Sequence, residues 1–254
     1  MLLQYPPIPG YLVVMPAKTT MDRIGEIASG QWGLITRRQA EAAGVPDTTL
    51  ERLTAPGGLL SRVAFGIYLL TAAPTPDHVD LRAAWLQLEP AVPAWARMAA
   101  QGVVSHRSAA SLYGIGHLPA DTHEFTVPTR RQTRRSDVKI HVRSLDDAEV
   151  LAAHGLPLTR PARIASDLAR DREDPEAIAQ LVVDATRAGL EYPATFAAAL
   201  TPHARQFGLT AGDGLAALSW LLDLAAPAED AARWIGDARR SLADRNESRA
   251  RSIP

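Results

Sequence analysis

Asp137-Val138-Lys139 has the residue types and the spacing of one half of a metal-dependent nuclease site. In such a site the acidic residue binds a divalent metal ion, and the lysine two positions later orients the attacking water. Asp121 or Glu124 could supply the upstream carboxylate. Short acid-x-Lys matches are common by chance, however, and Lys139 also suits an outward-facing position on a strand. The pattern therefore supports a metal-dependent nuclease only as an alternative interpretation.

Other catalytic patterns are missing from the sequence. It contains no glycine-rich phosphate loop with a lysine, no His-Glu-x-x-His and no Gly-x-Ser-x-Gly. Ser105-His106 pairs a nucleophile with a base, but neighbours at the start of a helix are expected to point apart, and Ser105 suits a helix N-cap. The seven histidines are scattered, and there is no cysteine to bind a metal as a thiolate. We therefore expect no enzymatic activity, no cofactor and no metal.

A further group of residues is typical of contacts with double-stranded DNA. Its first three members begin a predicted helix, where side chains and backbone N–H groups usually meet phosphates. The next three lie on the following short helix, whose N-terminal residues would reach base edges in the major groove. The last lies in a predicted hairpin that could touch the minor groove or the backbone. The predicted DNA-binding residues are Arg37, Arg38, Gln39, Thr48, Thr49, Arg52 and Arg62.

The predicted elements around these residues have the order of a winged helix-turn-helix. Ile24, Ile27 and Ala28 recur at the spacing of one buried helical face. Thr36 can cap a new helix, and Gly44 provides the sharp turn after it. Two short runs further on suit the strands of the wing. The predicted elements are a helix from Met21, helices over 37–43 and roughly 47–53, and strands over 59–64 and 66–70.

The predicted DNA-binding domain carries little net positive charge. Between Lys18 and Tyr68 there are six basic and five acidic residues, and the whole chain has a net charge of −1. Pro46 stands where a polar helix cap would be expected, and the acidic Asp47 and Glu51 lie on the predicted recognition helix. Because phosphate contacts govern affinity and its salt dependence, we expect a modest binder that needs two DNA sites or a second basic surface.

A run of arginines in the second half of the chain could form that second surface. Between predicted strands over 124–128 and 138–142, the segment 129–136 has four arginines and no acidic residue. We interpret it as a hairpin that is a solvated loop, a second phosphate contact or a docking surface for an acidic partner. The residues concerned are Arg130, Arg131, Arg134 and Arg135.

The chain is long enough for two domains, and Pro74-Thr75-Pro76 is the predicted joint. Its 254 residues exceed the roughly 150 at which one core usually splits. Residues 1–20 are interpreted as a loose arm that does not resemble a signal peptide. No run reaches the roughly 18 apolar residues of a membrane helix. The absence of cysteine fits a cytoplasmic protein, which is what we expect. The remaining domains are the winged helix-turn-helix over 21–73 and an α/β domain over 77–254.

The predicted fold class is α+β and helix-rich. Beyond the joint, short strands near Val103, Glu124 and Val138 alternate with helical patterns, which predicts a mixed α/β domain with a small sheet. From Ile178 onwards the apolar residues follow helical spacing, which predicts a helical C-terminal portion.

Several segments, taken in order, resemble AbiEi-type antitoxins, which belong to bacterial abortive-infection (type IV) toxin–antitoxin systems. The resemblance covers roughly residues 21 to 200 and includes Ser105-His106-Arg107-Ser108-Ala109-Ala110. The other matching segments are 33–40, 44–53, 62–68, 81–85 and 158–163.

The resemblance implies a transcriptional autorepressor whose winged helix binds repeats in its own promoter and whose C-terminal region neutralises a nucleotidyltransferase toxin. It assigns the DNA role by position, but it transfers no toxin-contacting residue, because no short motif in the family marks one. A ligand-sensing transcriptional regulator is the remaining alternative. The residues that inherit the DNA role are Arg37, Arg38, Thr48, Thr49, Arg52 and Arg62.

Overall fold

The computed structural model describes residues 19–251, and the side chains of residues 19–244. The predicted loose arm, residues 1–20, lies outside the described residues except for Thr19, which caps the first helix, and Thr20, which begins it. The described part of the chain is α+β and helix-rich, as predicted. None of its helices combines the length and the apolar character needed to cross a membrane.

The chain divides into two compact units, Met1–Ala96 and Arg97–Pro254, and the first has the layout of a winged helix. Its strands form an antiparallel sheet in the order β1-β3-β2. Strand β1 was not predicted, because its three consecutive buried residues show no alternation. The elements are α1 Thr20–Ser29, β1 Leu34–Thr36, α2 Arg37–Ala42, α3 Asp47–Leu53, β2 Leu60–Ala64, β3 Ile67–Leu70 and α4 Val79–Leu88.

The core of the first unit draws on nearly every element of the winged helix, so the short α2 and α3 are held by tertiary packing. Isolated helices of six or seven residues are not stable in water. Gly44, with a φ of 75°, makes the turn between them in a conformation that favours glycine. The buried cluster consists of Ile24, Ile35, Ala40, Val45, Leu50, Leu60 and Tyr68.

Helix α4 packs in the first unit, so the boundary between the units lies after Ala96 and not at the predicted joint over 74–76. Six consecutive residues of α4, Leu81 to Leu86, are buried, and the helix contacts all three strands of the sheet. The Trp85 ring meets the Trp32 ring edge to face at 6.0 Å. Because most of its surface is buried against the first sheet, α4 belongs to the first core and not to the second domain in which it was predicted.

The second unit combines a five-stranded sheet, in the order β6-β5-β4-β8-β7, with helices that pack on one another. The pairs β5–β6 and β4–β8 are parallel, and the other two pairs are antiparallel. Strands β7 and β8 were not predicted, and Pro157 within β8 explains part of the miss, since proline argues against a strand. The elements are β4 Val103–Val104, α5 His106–Tyr113, β5 His123–Val127, β6 Val138–Val142, β7 Val150–Ala153, β8 Leu156–Thr159, α6 Pro161–Arg170, α7 Pro175–Arg187, α8 Pro193–Leu200, α9 Gly214–Ala225 and α10 Ala228–Arg251.

Candidate nucleic-acid interface

Helix α3 is anchored on one side and exposed on the other. Leu50 is buried in the core of the first unit, and the Thr54 hydroxyl donates to the Leu50 carbonyl at 2.9 Å at the end of the helix. Thr48 and Arg52 are exposed, and Thr49 is half-buried. The helix can therefore present these three side chains to a groove, and their contact with bases stays a prediction.

Arg37 and Arg38, at the start of α2, are exposed but already paired with carboxylates. Arg37 Nε donates to Glu41 Oε1 at 3.0 Å, and its guanidinium also forms an ion pair with Asp47 of α3. Arg38 forms one weaker pair with Glu41, at 3.4 Å. The hydrogen bond from Arg37 to Asp47 raises the pKa of Arg37. A phosphate must displace two partners at Arg37 and one at Arg38, so Arg38 is the readier phosphate contact.

Gln39 is a correction to the predicted DNA-binding set, because its side chain is 2% exposed. Its Oε1 accepts from the Thr36 N–H at 3.1 Å and from Gln31 Nε2 at 2.6 Å, and its Nε2 donates to the Val92 carbonyl at 3.2 Å. Thr36 and Gln39 together form a capping box at the start of α2. The Thr-x-x-Gln spacing in the sequence is the usual signal of this motif. Gln39 is therefore a structural residue that stabilises the start of α2.

The wing places one predicted and one unpredicted residue on its surface. Arg62 of β2 is exposed, with its guanidinium 5.9 Å from the Tyr68 ring. Phe65, in the turn between β2 and β3, is 85% exposed, and its carbonyl accepts from Gln87 Nε2 at 2.8 Å. Exposure alone does not assign Phe65 a role, since single apolar side chains are common on protein surfaces. The only sequence signal for the exposure of Phe65 was its position between two predicted strands.

The arginine segment between β5 and β6 is a crossover loop and not the predicted hairpin, because these strands run parallel. Arg130 and Arg134 are exposed, while Arg131 and Arg135 are half-buried. Arg135 donates to Asp137 Oδ1 at 2.9 Å, and this hydrogen bond is the main reason that the pKa of Asp137 falls to about 2. The loop therefore offers two freely exposed arginines, Arg130 and Arg134, to a phosphate or an acidic partner.

The hydrogen bond between Arg135 and Asp137 also affects the alternative interpretation as a metal-dependent nuclease. Asp137 is engaged with Arg135, whereas Lys139 Nζ lies 3.5 Å from Glu124 Oε2 and 3.2 Å from Asp171 Oδ2. A pocket in the second unit is lined by Lys139, Glu124 and Asp121 but not by Asp137. The acid-x-Lys pair is therefore not assembled as one half-site.

Ser105 and His106 differ from the sequence-based expectation. Ser105 makes no capping hydrogen bond, and its Oγ lies 2.9 Å from His106 Nδ1. The neighbours face each other because His106 has a φ of 52°, in the left-handed region that non-glycine residues rarely adopt. Burial, assisted by His141, lowers the pKa of His106 to about 4. Ser105 is fully buried and does not line the pocket, so a substrate cannot reach it as a nucleophile.

Comparison with known families addresses the winged-helix part of the chain. Residues 22–71 match the family described as transcriptional regulator, AbiEi antitoxin. This segment is AbiEi-like. The match runs from the third residue of α1 to the end of the wing and includes every predicted DNA-binding residue. It supports a role as an antitoxin or transcriptional regulator. The segments beyond residue 71 that resemble AbiEi-type antitoxins lie outside this match. No curated protein matches the chain.

Proposed function

We propose that the protein is a cytoplasmic antitoxin and autorepressor of a toxin–antitoxin operon that acts without catalysis. The AbiEi-like segment would bind repeats in its own promoter, with α3 in the major groove and the wing beside it. The observation that carries the proposal is an anchored α3 whose outer face is accessible, within residues that match an antitoxin and regulator family. Repression would be steric, since protein bound at a promoter blocks the polymerase.

The accessible residues named here have distinct roles in this proposal. Arg38 would contact a phosphate and hold the register, while Thr49 and Arg52 would read base edges. Phe65 at the tip of the wing would pack against the minor groove, where apolar side chains of other DNA-binding proteins also insert. The acidic residues Asp47 and Glu51, which are exposed on α3, would keep affinity modest and favour binding to paired repeats.

Fluorescence anisotropy with duplexes tiled across the upstream region of the gene tests the DNA role. Arg38→Ala should weaken binding to all duplexes and lower the salt slope by about one. Arg52→Ala should cost about 1–3 kcal/mol at the repeats and relax the choice of sequence. Arg205→Ala, which removes an exposed arginine of the second unit, is the matched control. Equal losses in all three variants would reject the assigned interface.

A second experiment separates repression from toxin neutralisation. The second unit would neutralise a nucleotidyltransferase toxin encoded by the neighbouring reading frame, and its exposed Arg130 and Arg134 suit an acidic surface on such a partner. The full chain carrying Arg38→Ala and Arg52→Ala should fail to repress a promoter reporter but still restore growth to cells that express the toxin. Loss of both effects would contradict this division of labour.

A further inference from the structure

A partly buried polar cluster in the second unit is built by the register of two parallel strands. Glu124 of β5 pairs with Lys139 of β6, and His141 follows Lys139 by two residues, so it lies on the same face of the strand. Helix α5 begins beside this face with His106, and Asp171 directly follows α6. Five polar residues from four elements therefore converge, although they are up to 65 residues apart in the sequence.

The two histidines of this cluster lie face to face. Their ring centroids are 3.5 Å apart and the ring planes differ by 11°. Glu124, which is 5% exposed, lies with its Oε2 2.7 Å from His141 Nε2. One possible ligand atom from each of His106, Glu124 and His141 lies within 4.8 Å of the other two. Two imidazoles and one carboxylate form a ligand set that proteins use for zinc and for other first-row transition metals. An imidazole binds a metal in the plane of its ring, so one of the two stacked rings must rotate when an ion binds.

Hydrogen bonds behind His106 set its orientation. The Thr126 hydroxyl donates to Ser105 Oγ at 2.9 Å, and Ser105 Oγ lies 2.9 Å from His106 Nδ1. The other ring nitrogen, Nε2, faces the Asp171 carboxylate at 4.0 Å, beyond hydrogen-bonding distance. In metal sites the second nitrogen of a ligating histidine is almost always held by an oxygen in this way. The left-handed backbone of His106 is strained, and residues strained in this way cluster at active sites and ligand sites.

The surroundings of the cluster favour a cation over an anion. His106 and Glu124 line a cavity of about 310 Å³, whose wall also includes Asp121 and Asp171. The basic side chains of this wall are already paired, Arg107 with Glu173 and Lys139 with Glu124 and Asp171. A phosphate would meet several carboxylates and few available donors. A metal ion would leave Lys139 paired with Asp171 and would have an open side toward the cavity.

We propose that His106, Glu124 and His141 bind a divalent transition-metal ion of the zinc type. Two imidazoles disfavour magnesium and calcium, which prefer oxygen ligands. Three protein ligands leave a fourth position that water can fill from the cavity. The metal site does not depend on the proposed DNA or toxin roles, and it replaces the sequence-based expectation of no metal.

The test uses the full chain without an affinity tag, stripped with EDTA and titrated with ZnCl2 by calorimetry. Wild-type protein should bind one equivalent, and metal analysis after gel filtration should recover it. His106→Ala and His141→Ala should each abolish stoichiometric uptake. His117→Ala, which removes an exposed histidine, is the matched control and should bind like the wild type. No uptake by the wild type, or full uptake by both His106→Ala and His141→Ala, would overturn the proposal.

Two milder variants keep the test decisive if the alanine variants do not fold. Glu124→Gln keeps the size of the side chain but removes the anionic ligand, so zinc affinity should fall at least tenfold. Ser105→Ala should weaken binding about 10- to 100-fold through the loss of the partner of His106 Nδ1, whereas Ser111→Ala, at an exposed position on α5, should not. Cobalt(II) bound to wild-type protein should give d–d absorption bands that Ser105→Ala perturbs. Unchanged affinities and spectra would contradict the proposed ligands.

Discussion

Glu41 in the first unit and Asp167 in the second have almost the same neighbours and opposite environments. Glu41 accepts from Arg37, four residues earlier, at 3.0 Å and from Arg38, three residues earlier, at 3.4 Å. Asp167 accepts from Arg163, four residues earlier, at 2.9 Å and from Arg170, three residues later, at 2.7 Å. The Glu41 side chain is 34% exposed and that of Asp167 is 1% exposed.

This difference in burial separates the proposed DNA-binding surface on α2 from a structural network on α6. Exposed ion pairs contribute about 0–1 kcal/mol to stability, so their arginines can exchange a carboxylate for a phosphate at little cost. Breaking a buried pair costs about 3–5 kcal/mol, because the remaining charge has no compensation. The ion pairs of α2 therefore suit reversible contact with DNA, and those of α6 suit only the fold.

Asp167→Ala should have the largest effect on stability. Arg163, whose side chain is 10% exposed, and Arg170 would lose their shared acceptor, and we expect the free energy of unfolding to fall by about 3 kcal/mol. Glu149, which is 2.8 Å from Arg163, keeps the loss near the lower end of the range. Urea unfolding monitored by circular dichroism measures the change. Asp223→Ala, at an exposed position on α9, is the matched control and should change stability by less than about 0.5 kcal/mol.

Gln39→Ala should have an intermediate effect that is confined to stability. The substitution leaves the buried side chain of Gln31 without its Gln39 partner and removes the capping box of α2, so we expect a loss of about 1–3 kcal/mol. Affinity of the folded protein for the promoter duplex should not change, because Gln39 makes no exposed contact. A loss of affinity with wild-type stability would instead return Gln39 to the DNA interface.

The winged-helix unit was largely predictable because its signals are local. Thr36 as a cap, Gly44 as a turn and the two strands of the wing all depend on residues a few positions apart. Strand β1 was missed because it exists only through pairing with β3, more than thirty residues later. The end of the unit was also missed, since burial of α4 depends on a sheet that precedes it in the chain.

The exposed arginines of α2 and α3 could be predicted from the sequence, whereas the polar cluster around His106 could not. Arg37, Arg38 and Arg52 could be placed on a surface from helical spacing alone, although the pairing of Arg37 and Arg38 with acidic residues could not. The cluster around His106 depends on a parallel β5–β6 register and on a left-handed residue at the start of α5. Neither feature has a short-range signature, which is why Ser105 was read as a cap and the histidines as scattered.

Glu41→Gln should have the smallest effect on stability and the opposite effect on DNA binding. Its exposed ion pairs are worth about 0–1 kcal/mol, so the unfolding midpoint should scarcely move. The substitution releases Arg38 and one of the two partners of Arg37, and it removes a negative charge that repels phosphates.

Affinity for the promoter duplex should therefore rise up to about fivefold at low salt, the equivalent of about 1 kcal/mol. The gain should shrink at high salt, because screening weakens exposed charges. Glu229→Gln, an exposed position in the second unit, removes the same charge and should leave affinity unchanged. If Glu41→Gln weakened DNA binding, its ion pairs would be positioning the arginines for DNA, and the contrast with Asp167 would not hold.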